Sequence, residues 1–176
     1  ETFTSFTDQA VISRITASQP GKITFNAVLT SPHQDVIVTS EGNEITLEGV
    51  SSLHEGLKGK VQFQGRVAVK TKGGTVTSRD GVLTVENADE AIVYVSIATN
   101  FNNYKDITGD YIGRAKNYLA KALGNDYESA KNEHVKFYEK YQNRVTLNLG
   151  EDKYADVTTD KRVENFKTTN DAFLVA

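Results

Sequence analysis

From Gln9 to Ala98 the sequence is a series of short β-patterned runs broken by glycine- or asparagine-bearing turns, with no helical repeat between them. The runs are "QAVISRITA", "GKITFNAVLTSP", "DVIVTS", "NEITLEG", "KVQFQGRVAVK", "TVTSR", "GVLTVEN" and "EAIVYVSIA". In the second, Ile23, Phe25, Ala27 and Leu29 alternate with Lys22, Thr24, Asn26 and Val28, the period-two mark of a strand with one buried face. Glu41-Gly42-Asn43, Lys72-Gly73-Gly74 and Arg79-Asp80-Gly81 supply residues that accept positive φ, as tight hairpins require. Strands this closely spaced cannot house βαβ crossovers, so the expected fold is mainly β with C-terminal helices: an antiparallel β-sandwich followed by linker helices. In the longest run, Val61, Phe63, Gly65, Val67 and Val69 share a face, and Gly65 marks local curvature, a bulge or a close backbone approach.

The pattern changes after Asp110. "YIGRAKNYLAKALG" and "NDYESAKNEHVKFYEKYQNR" read as helices, the first stopped at Gly124 and the second capped at Asp126. Tyr127, Ala130, His134, Phe137 and Tyr141 recur at steps of three and four and so share a face. "VTLNLG" then reads as a short strand, and "TTDKRVENF" as the start of another helix.

With 176 residues, 38% hydrophobic content and a net charge of −3, the chain can bury one sizeable core, and it has no basic excess for nucleic acid. Its apolar runs fall short of the roughly 18 residues that span a bilayer, so no membrane partner is expected. The absence of cysteine removes thiol catalysis, disulfides and cysteine-ligated zinc. The chain opens on Glu1, lacks methionine and closes on the apolar "DAFLVA", which suggests an excised part of a longer protein.

Two places carry candidate chemistry. In "SSLHEGLKGKVQF", glycines bracket a turn that holds His54 and Glu55 together; the pair suits a sugar hydroxyl or a neighbouring loop, or is simply a structural turn. In "SIATNFNNYKD", Asn100 and Asn103 offer paired donors and acceptors beside the rings of Phe101 and Tyr104, a composition that suits a pyranose or, equally, Asx turns around an aromatic anchor. The histidines His33, His54 and His134 lack partners at metal-ligand spacing, and there is neither a nucleophile elbow nor a phosphate loop, so no metal or cofactor is expected. The carboxylates Asp80, Glu86, Asp89, Glu90, Asp106 and Asp110 fall at turns and strand ends, where solvated or structural roles are the ordinary ones. Glycoside hydrolysis needs two acids at a set separation, which sequence alone does not display.

Five blocks taken in order carry a family resemblance: "SFTDQAVISRITASQPGKITFNAVLTSP", "LHEGLKGKVQFQGRVAV", "GGTVTSRDGVLTVENADEAIVYVSIATNFNNYKD", "HVKFYEKYQNRVTLNLG" and "TTDKRVENF". Together they resemble family 95 glycoside hydrolases, which include 1,2-α-L-fucosidases and related α-L-galactosidases. The Asn-Phe-x-x-Tyr loop and the block from Arg144 to Gly150 are the most specific; Thr158 departs from the proline the family usually has before Thr159-Asp160.

The resemblance implies that residues 1–108 are part of an N-terminal supersandwich and residues 109–176 a helical linker with a short return strand. That linker would end where a catalytic helical toroid begins. The inverting acid belongs to the toroid, so no catalytic residue is expected here. The implied partners are that helical domain, against which Tyr127, Phe137, Tyr138 and Tyr141 would pack, and a glycan. The implied location is extracytoplasmic, periplasmic or secreted. Two rival readings are a carbohydrate-binding β-sandwich module using Asn100, Phe101, Asn103 and Tyr104, and an interaction domain of an unrelated surface protein. The lack of tryptophan, the best ring for stacking on sugars, weighs against the module.

Overall fold

The computed structural model describes residues 1–148 and 150–175. Its strands are β1 (Thr2–Ser5), β2 (Ala10–Thr16), β3 (Ile23–Val28), β4 (Ile37–Glu41), β5 (Glu44–Val50), β6 (Gln62–Lys72), β7 (Thr75–Arg79), β8 (Val82–Ala88) and β9 (Glu90–Thr99). They form a six-stranded sheet in the order β1-β2-β9-β6-β5-β4 and a three-stranded sheet in the order β3-β8-β7, with antiparallel pairing throughout. The helices are α1 (Tyr111–Gly124), α2 (Tyr127–Gln142), α3 (Thr159–Asn165) and α4 (Ala172–Val175). The mainly β architecture with C-terminal helices therefore stands.

The three anticipated turns are all present, with positive φ at Gly42, at Gly73 and Gly74, and at Asp80 and Gly81. Gly74 has a second reason to be glycine, because a Cβ there would lie 2.2 Å from the Glu86 carbonyl oxygen. Gly65 makes no bulge: the ladder passes through it unbroken, Leu47↔Gly65 on one side and Gly65↔Ile97 on the other. The register shift occurs instead in β3, between Ile23 and Phe25.

Contacts divide the chain into two compact units, Glu1–Phe137 and Tyr138–Ala176. In the first, the large sheet is covered on both faces. On one side Ile45, Val67, Val69 and Ala91 pack against Ile23, Leu83 and Val85 of the small sheet. On the other, Ile12, Ala68 and Tyr94 pack against Leu119 and Ala122 of α1 and Tyr127 and Ala130 of α2. The Ser96 hydroxyl donates to the Ala115 carbonyl (2.8 Å), tying α1 to β9. The helix-forming sequence after residue 108 is thus shared between the units, α1 and the start of α2 completing the sandwich core.

The Asp126 cap follows the sequence, and Asp110 adds one at α1. Asp110 accepts from the Gly113 amide (2.8 Å) at the start of α1, and Asp126 accepts from the Ser129 amide (3.1 Å) at the start of α2. The first turns of α2 grip β1: Phe3 meets Tyr127 edge-on at 5.7 Å, Phe6 stacks on Phe137 at 4.0 Å, and His134 Nδ1 bonds the Thr4 carbonyl (2.9 Å). Below this contact, fully buried Asp8 accepts from the Ser5 hydroxyl (2.8 Å) and from Asn125 Nδ2 (2.7 Å), fastening the β1–β2 turn to the α1–α2 junction.

In the second unit, Arg162 of α3 binds both Asp152 (3.1 Å) and Asp171 (2.6 Å), and Asp171 caps α4 through the Leu174 amide (3.0 Å). The Arg162 guanidinium beside it holds the buried Asp171 carboxyl below the usual carboxylate range. The strand anticipated at 145–150 does not form over residues 145–148 or at Gly150, while residue 149 lies outside the described residues. Val145 and Leu147 are exposed, and among the described residues no strand pairs with this segment, without which an alternating pattern cannot become sheet.

Because α1 closes the helix-side face of the large sheet as core, Leu119→Ala and Ile12→Ala should each cost about 2–5 kcal/mol in urea unfolding, although one residue is helical and the other in a strand. Loss of the Asp110 cap in Asp110→Ala should cost about 0.5–2 kcal/mol by the same measurement.

Candidate functional site

The sequence singled out two loops, and the fold places them at one end of the large sheet. Phe63 near the start of β6 pairs with Thr99 at the end of β9, so the connection before β6 and the connection after β9 leave from neighbouring strands. The first holds His54 and Glu55, the second Asn100, Phe101, Asn103 and Tyr104.

Asn100 is the joint between them. It is only 4% exposed, and its backbone amide donates to the Gln62 carbonyl (3.0 Å). Its side-chain oxygen accepts from the Gln62 amide (3.0 Å), and its side-chain nitrogen donates to the Lys60 carbonyl (3.4 Å). The amide side chain thus continues the β6–β9 ladder one step past the strand end. Beyond it, Arg114 of α1 donates to the carbonyls of Thr99 (3.2 Å) and Phe101 (3.4 Å) and to the side chain of Asn102. Asp106 accepts from the Thr108 hydroxyl (2.7 Å), the Thr108 amide (2.9 Å) and Asn102 Nδ2 (2.9 Å). Those bonds, the hydroxyl of Thr108 first, hold the Asp106 carboxyl below its ordinary range. Asn103 Oδ1 accepts from the Lys105 amide (2.9 Å), an Asx turn.

Asn100 is therefore turned inward, the other amides bond within the loop, and the aromatic rings stand exposed. Phe101 is 48% exposed and Tyr104 84% exposed, with Lys105 Nζ 5.3 Å from the Tyr104 ring centre. In the companion loop, His54 and Leu57 bond each other's backbone (3.0 and 2.9 Å) around Glu55 and Gly56, both at positive φ. His54 and Glu55 are exposed there, flanked by exposed Leu53 and Leu57. The result is a rim of exposed apolar and aromatic groups with a few polar tips, held by a rigid base.

Sequence reasoning did not find a second polar feature on the helix-side face. Beside α1, whose Lys116 helps line it, this face opens into a groove of about 450 Å³ over β4, β5 and β6. A side-chain ladder floors it. Tyr111 of α1 donates to Glu48 (2.7 Å), Gln64 donates to Glu48 (3.1 Å), Arg66 donates to Gln64 (2.6 Å), and Arg66 also pairs with Glu44. The bond to Glu48 is the chief cause that pushes the Tyr111 hydroxyl up to about 12. The signal for the groove lies in the register: Glu44, Thr46 and Glu48 oppose Ala68, Arg66 and Gln64, a pairing that local patterning does not reveal.

Four of the six carboxylates weighed from sequence have structural duties, while Asp80 and Glu86 are exposed. Asp89 accepts from the Gly21 amide (2.8 Å), Glu90 pairs with Arg14 (2.8 Å), Asp106 orders its loop and Asp110 caps α1. Among the described residues, the carboxyl groups with displaced pKa, Glu1, Asp106, Asp160 and Asp171, are all moved downward. A glycosidase general acid needs the opposite displacement. Among the same residues, no group of three histidine or carboxylate side chains is placed to hold a metal ion.

A family model described as glycosyl hydrolase family 65, N-terminal domain, matches residues 1–104. The chain belongs to this family. Alpha-L-fucosidase 2 of Arabidopsis thaliana is 30% identical over 203 aligned residues, an alignment covering 99% of this chain and 24% of the relative. The chain thus spans about a quarter of that relative's length. Among solved structures, a human-microbiome protein described as a kojibiose phosphorylase shares the fold with a TM-score of 0.50 at 13% identity, covering 80% of this chain and 20% of its own. The family model makes residues 1–104 a glycosyl hydrolase family 65 N-terminal domain, and the solved neighbour shares the fold alone.

Asn100→Ala should cost about 1–3 kcal/mol in denaturant unfolding, because it strands buried backbone groups at the head of β6. Tyr104→Ala should change stability by less than about 0.5 kcal/mol. At alkaline pH the glycosyl hydrolase domain should lose stability between about 10 and 12. The hydroxyls of Tyr111 and Tyr127 both keep their protons up to about 12 in the fold, whereas the unfolded chain releases them near 10. Tyr111→Phe and Tyr127→Phe should flatten that decline in urea titrations across the window.

Proposed function

We propose that the chain is the non-catalytic sandwich and linker of an enzyme acting on terminal α-L-fucosyl or α-L-galactosyl residues of glycans, the family 95 type of glycoside hydrolase. The observation that carries this reading is the identity to the Arabidopsis fucosidase, which runs through 99% of the chain and so includes the helices beyond residue 104. Asp106, Glu90, Asp89 and Asp110 support it, since each accepts hydrogen bonds that build the fold. In this role the domain supports a catalytic helical domain of the same protein, and the rim of Phe101, Tyr104, His54 and Glu55 faces that domain or its substrate. Such an enzyme meets its glycans outside the cytoplasm, in the periplasm or after secretion.

A second reading, a sugar-binding module, draws on the exposure of Phe101 and Tyr104, two rings on a rigid base. Residues 1–176 should release no fucose from an α-1,2-fucosylated oligosaccharide, whereas the protein expressed from its full reading frame should turn it over; hydrolysis by residues 1–176 alone would refute the proposal. Calorimetry of residues 1–176 with the same oligosaccharide should give no heat, and saturable heat would favour the module. In the full-length enzyme, Phe101→Ala with Tyr104→Ala should lower kcat/KM about 10-fold or more with little change in Tm, a separation of function from stability that a purely internal loop would not give.

A further inference from the structure

At the end of β9 opposite the rim, the helix-side face carries a second pocket. Glu90, Ile92 and Tyr94 follow one another along this face of β9. Arg14 of β2 and Lys70 of β6 stand directly across from Ile92, one on each side. The α1–α2 junction overhangs these residues with Asp126 and Glu128, leaving a pocket of about 290 Å³ between sheet and helices. Tyr94 is only 2% exposed, yet among the described residues nothing hydrogen-bonds its hydroxyl. Buried tyrosine hydroxyls ordinarily find a partner in the protein. Every fully enclosed side-chain oxygen and nitrogen among the described residues has one, so this hydroxyl opens into the pocket that its residue lines. Burial, and then the charges of Asp126, Asp8 and Glu90, raise its pKa and keep it a proton donor.

The charges around that hydroxyl fall into two groups. Arg14 is satisfied within the wall, by Glu90 (2.8 Å) and Glu128 (2.8 Å). Lys70 and Asp126 also line the pocket, but among the described residues neither pairs with an oppositely charged side chain. Lys70 donates one proton to the Leu123 carbonyl at the end of α1 and keeps two more. One oxygen of Asp126 accepts from the Ser129 amide (3.1 Å), which leaves the other. A cation and a carboxylate that share a small pocket without reaching each other match a molecule whose own charges run the opposite way.

We infer that this pocket binds a small zwitterion, a free α-amino acid. Its carboxylate accepts from Lys70 Nζ and the Tyr94 hydroxyl, and its ammonium donates to Asp126. Other ligands each leave a group unmatched. A neutral sugar offers no charge to Lys70 or Asp126. A simple anion would sit among the carboxylates of Asp126, Glu90 and Glu128, and a simple cation would sit against Lys70. Among the described residues, no three histidine or carboxylate side chains converge on a metal ion. A residue inside a peptide has given up both charges to amide bonds. The volume falls at the small end of ligand pockets, which run from about 300 to 1,000 Å³. That suits a molecule of amino-acid size, and half-buried Ile92 gives its aliphatic part an apolar floor.

The test is equilibrium dialysis of the protein expressed from its full reading frame against L-alanine, L-serine, L-leucine, L-glutamate and L-lysine. At least one should bind saturably, one molecule per chain. The methyl ester of that amino acid, which lacks the carboxylate, should bind at least 10-fold more weakly, and so should its N-acetyl form, which lacks the ammonium. Tyr94→Phe, Lys70→Gln and Asp126→Asn should each weaken binding of the free amino acid at least 10-fold. Asparagine preserves the α2 cap while removing the charge. Tyr94→Phe should leave Tm unchanged, because its hydroxyl holds nothing in the protein, and this separates loss of the ligand from loss of the fold. Failure of all five amino acids to bind would overturn the inference, as would binding that the three substitutions leave intact. Equal binding of the ester would mean a cation site, and displacement by L-fucose a sugar site; either result would overturn it too.

Discussion

The pairing of β6 with β9 is the constraint on which the other features rest. It is the longest ladder in the fold, running from Phe63↔Thr99 to Lys72↔Glu90, and every other strand of the large sheet attaches outward from it. Both of its faces are core. Val67 and Val69 face the small sheet, and Ala68 and Tyr94 face α1. A strand covered on both sides gains burial at every residue, not at every second one, and this explains why small or polar residues appear where a half-buried strand would carry exposed ones. Gln64 and Ser96 are buried because each finds a partner, Glu48 for one and the Ala115 carbonyl for the other. The end of this ladder is also the base of the candidate rim, so the position of Phe101 and Tyr104 is set by strand pairing and not by the loop itself.

What the sequence made legible was local. The hairpin glycines, the cap at Asp126 and the period-two runs each depend on neighbours a few residues away, and each appears where the pattern put it. What it hid was everything set by partners far along the chain. β1 is four residues of Thr, Phe, Thr and Ser, too short and too polar to register, and it becomes a strand because β2 pairs with it and Tyr127 packs on Phe3. Residues 145–148 show the converse, with a strand pattern but no pairing partner. Gly65 was legible as unusual but not as to why. With its ladder intact, it leaves the space beside Ile97 open without bending the strand.

The candidate site shows the same division inside one loop. By composition, Asn100 and Tyr104 were equivalent ligand-binding residues. In the fold they are opposites: the amide is spent on the backbone of residues 60 and 62, and the phenol ring stands in solvent. Asparagine can mimic a peptide group, and at the end of a ladder it is drawn inward to complete it. Tyrosine has no such use there. The chemistry left for a partner is then flat and apolar, with Lys105 above one ring and the His54-Glu55 turn nearby, and this rim is better suited to stacking and steric fit than to a dense hydrogen-bond network.

The helices change what counts as the sandwich domain. Composition places a boundary near residue 108, where strands give way to helices. Energetically the boundary lies later, because α1 and the first turns of α2 are the cover of one face of the large sheet. Without them Ile12, Ala68 and Tyr94 would face water, and Asp8, which accepts from Asn125 at the α1–α2 junction, would be left as a buried carboxylate short of a partner. Burial of that carboxylate is tolerable only while both of its oxygens are bonded, one by Ser5 and one by Asn125. A linker that supplies core to the domain it leaves cannot swing as a flexible tether does. Its direction is fixed by the same packing that holds the sheet together, and the rim at the end of β6 and β9 therefore keeps a defined position relative to the start of α2.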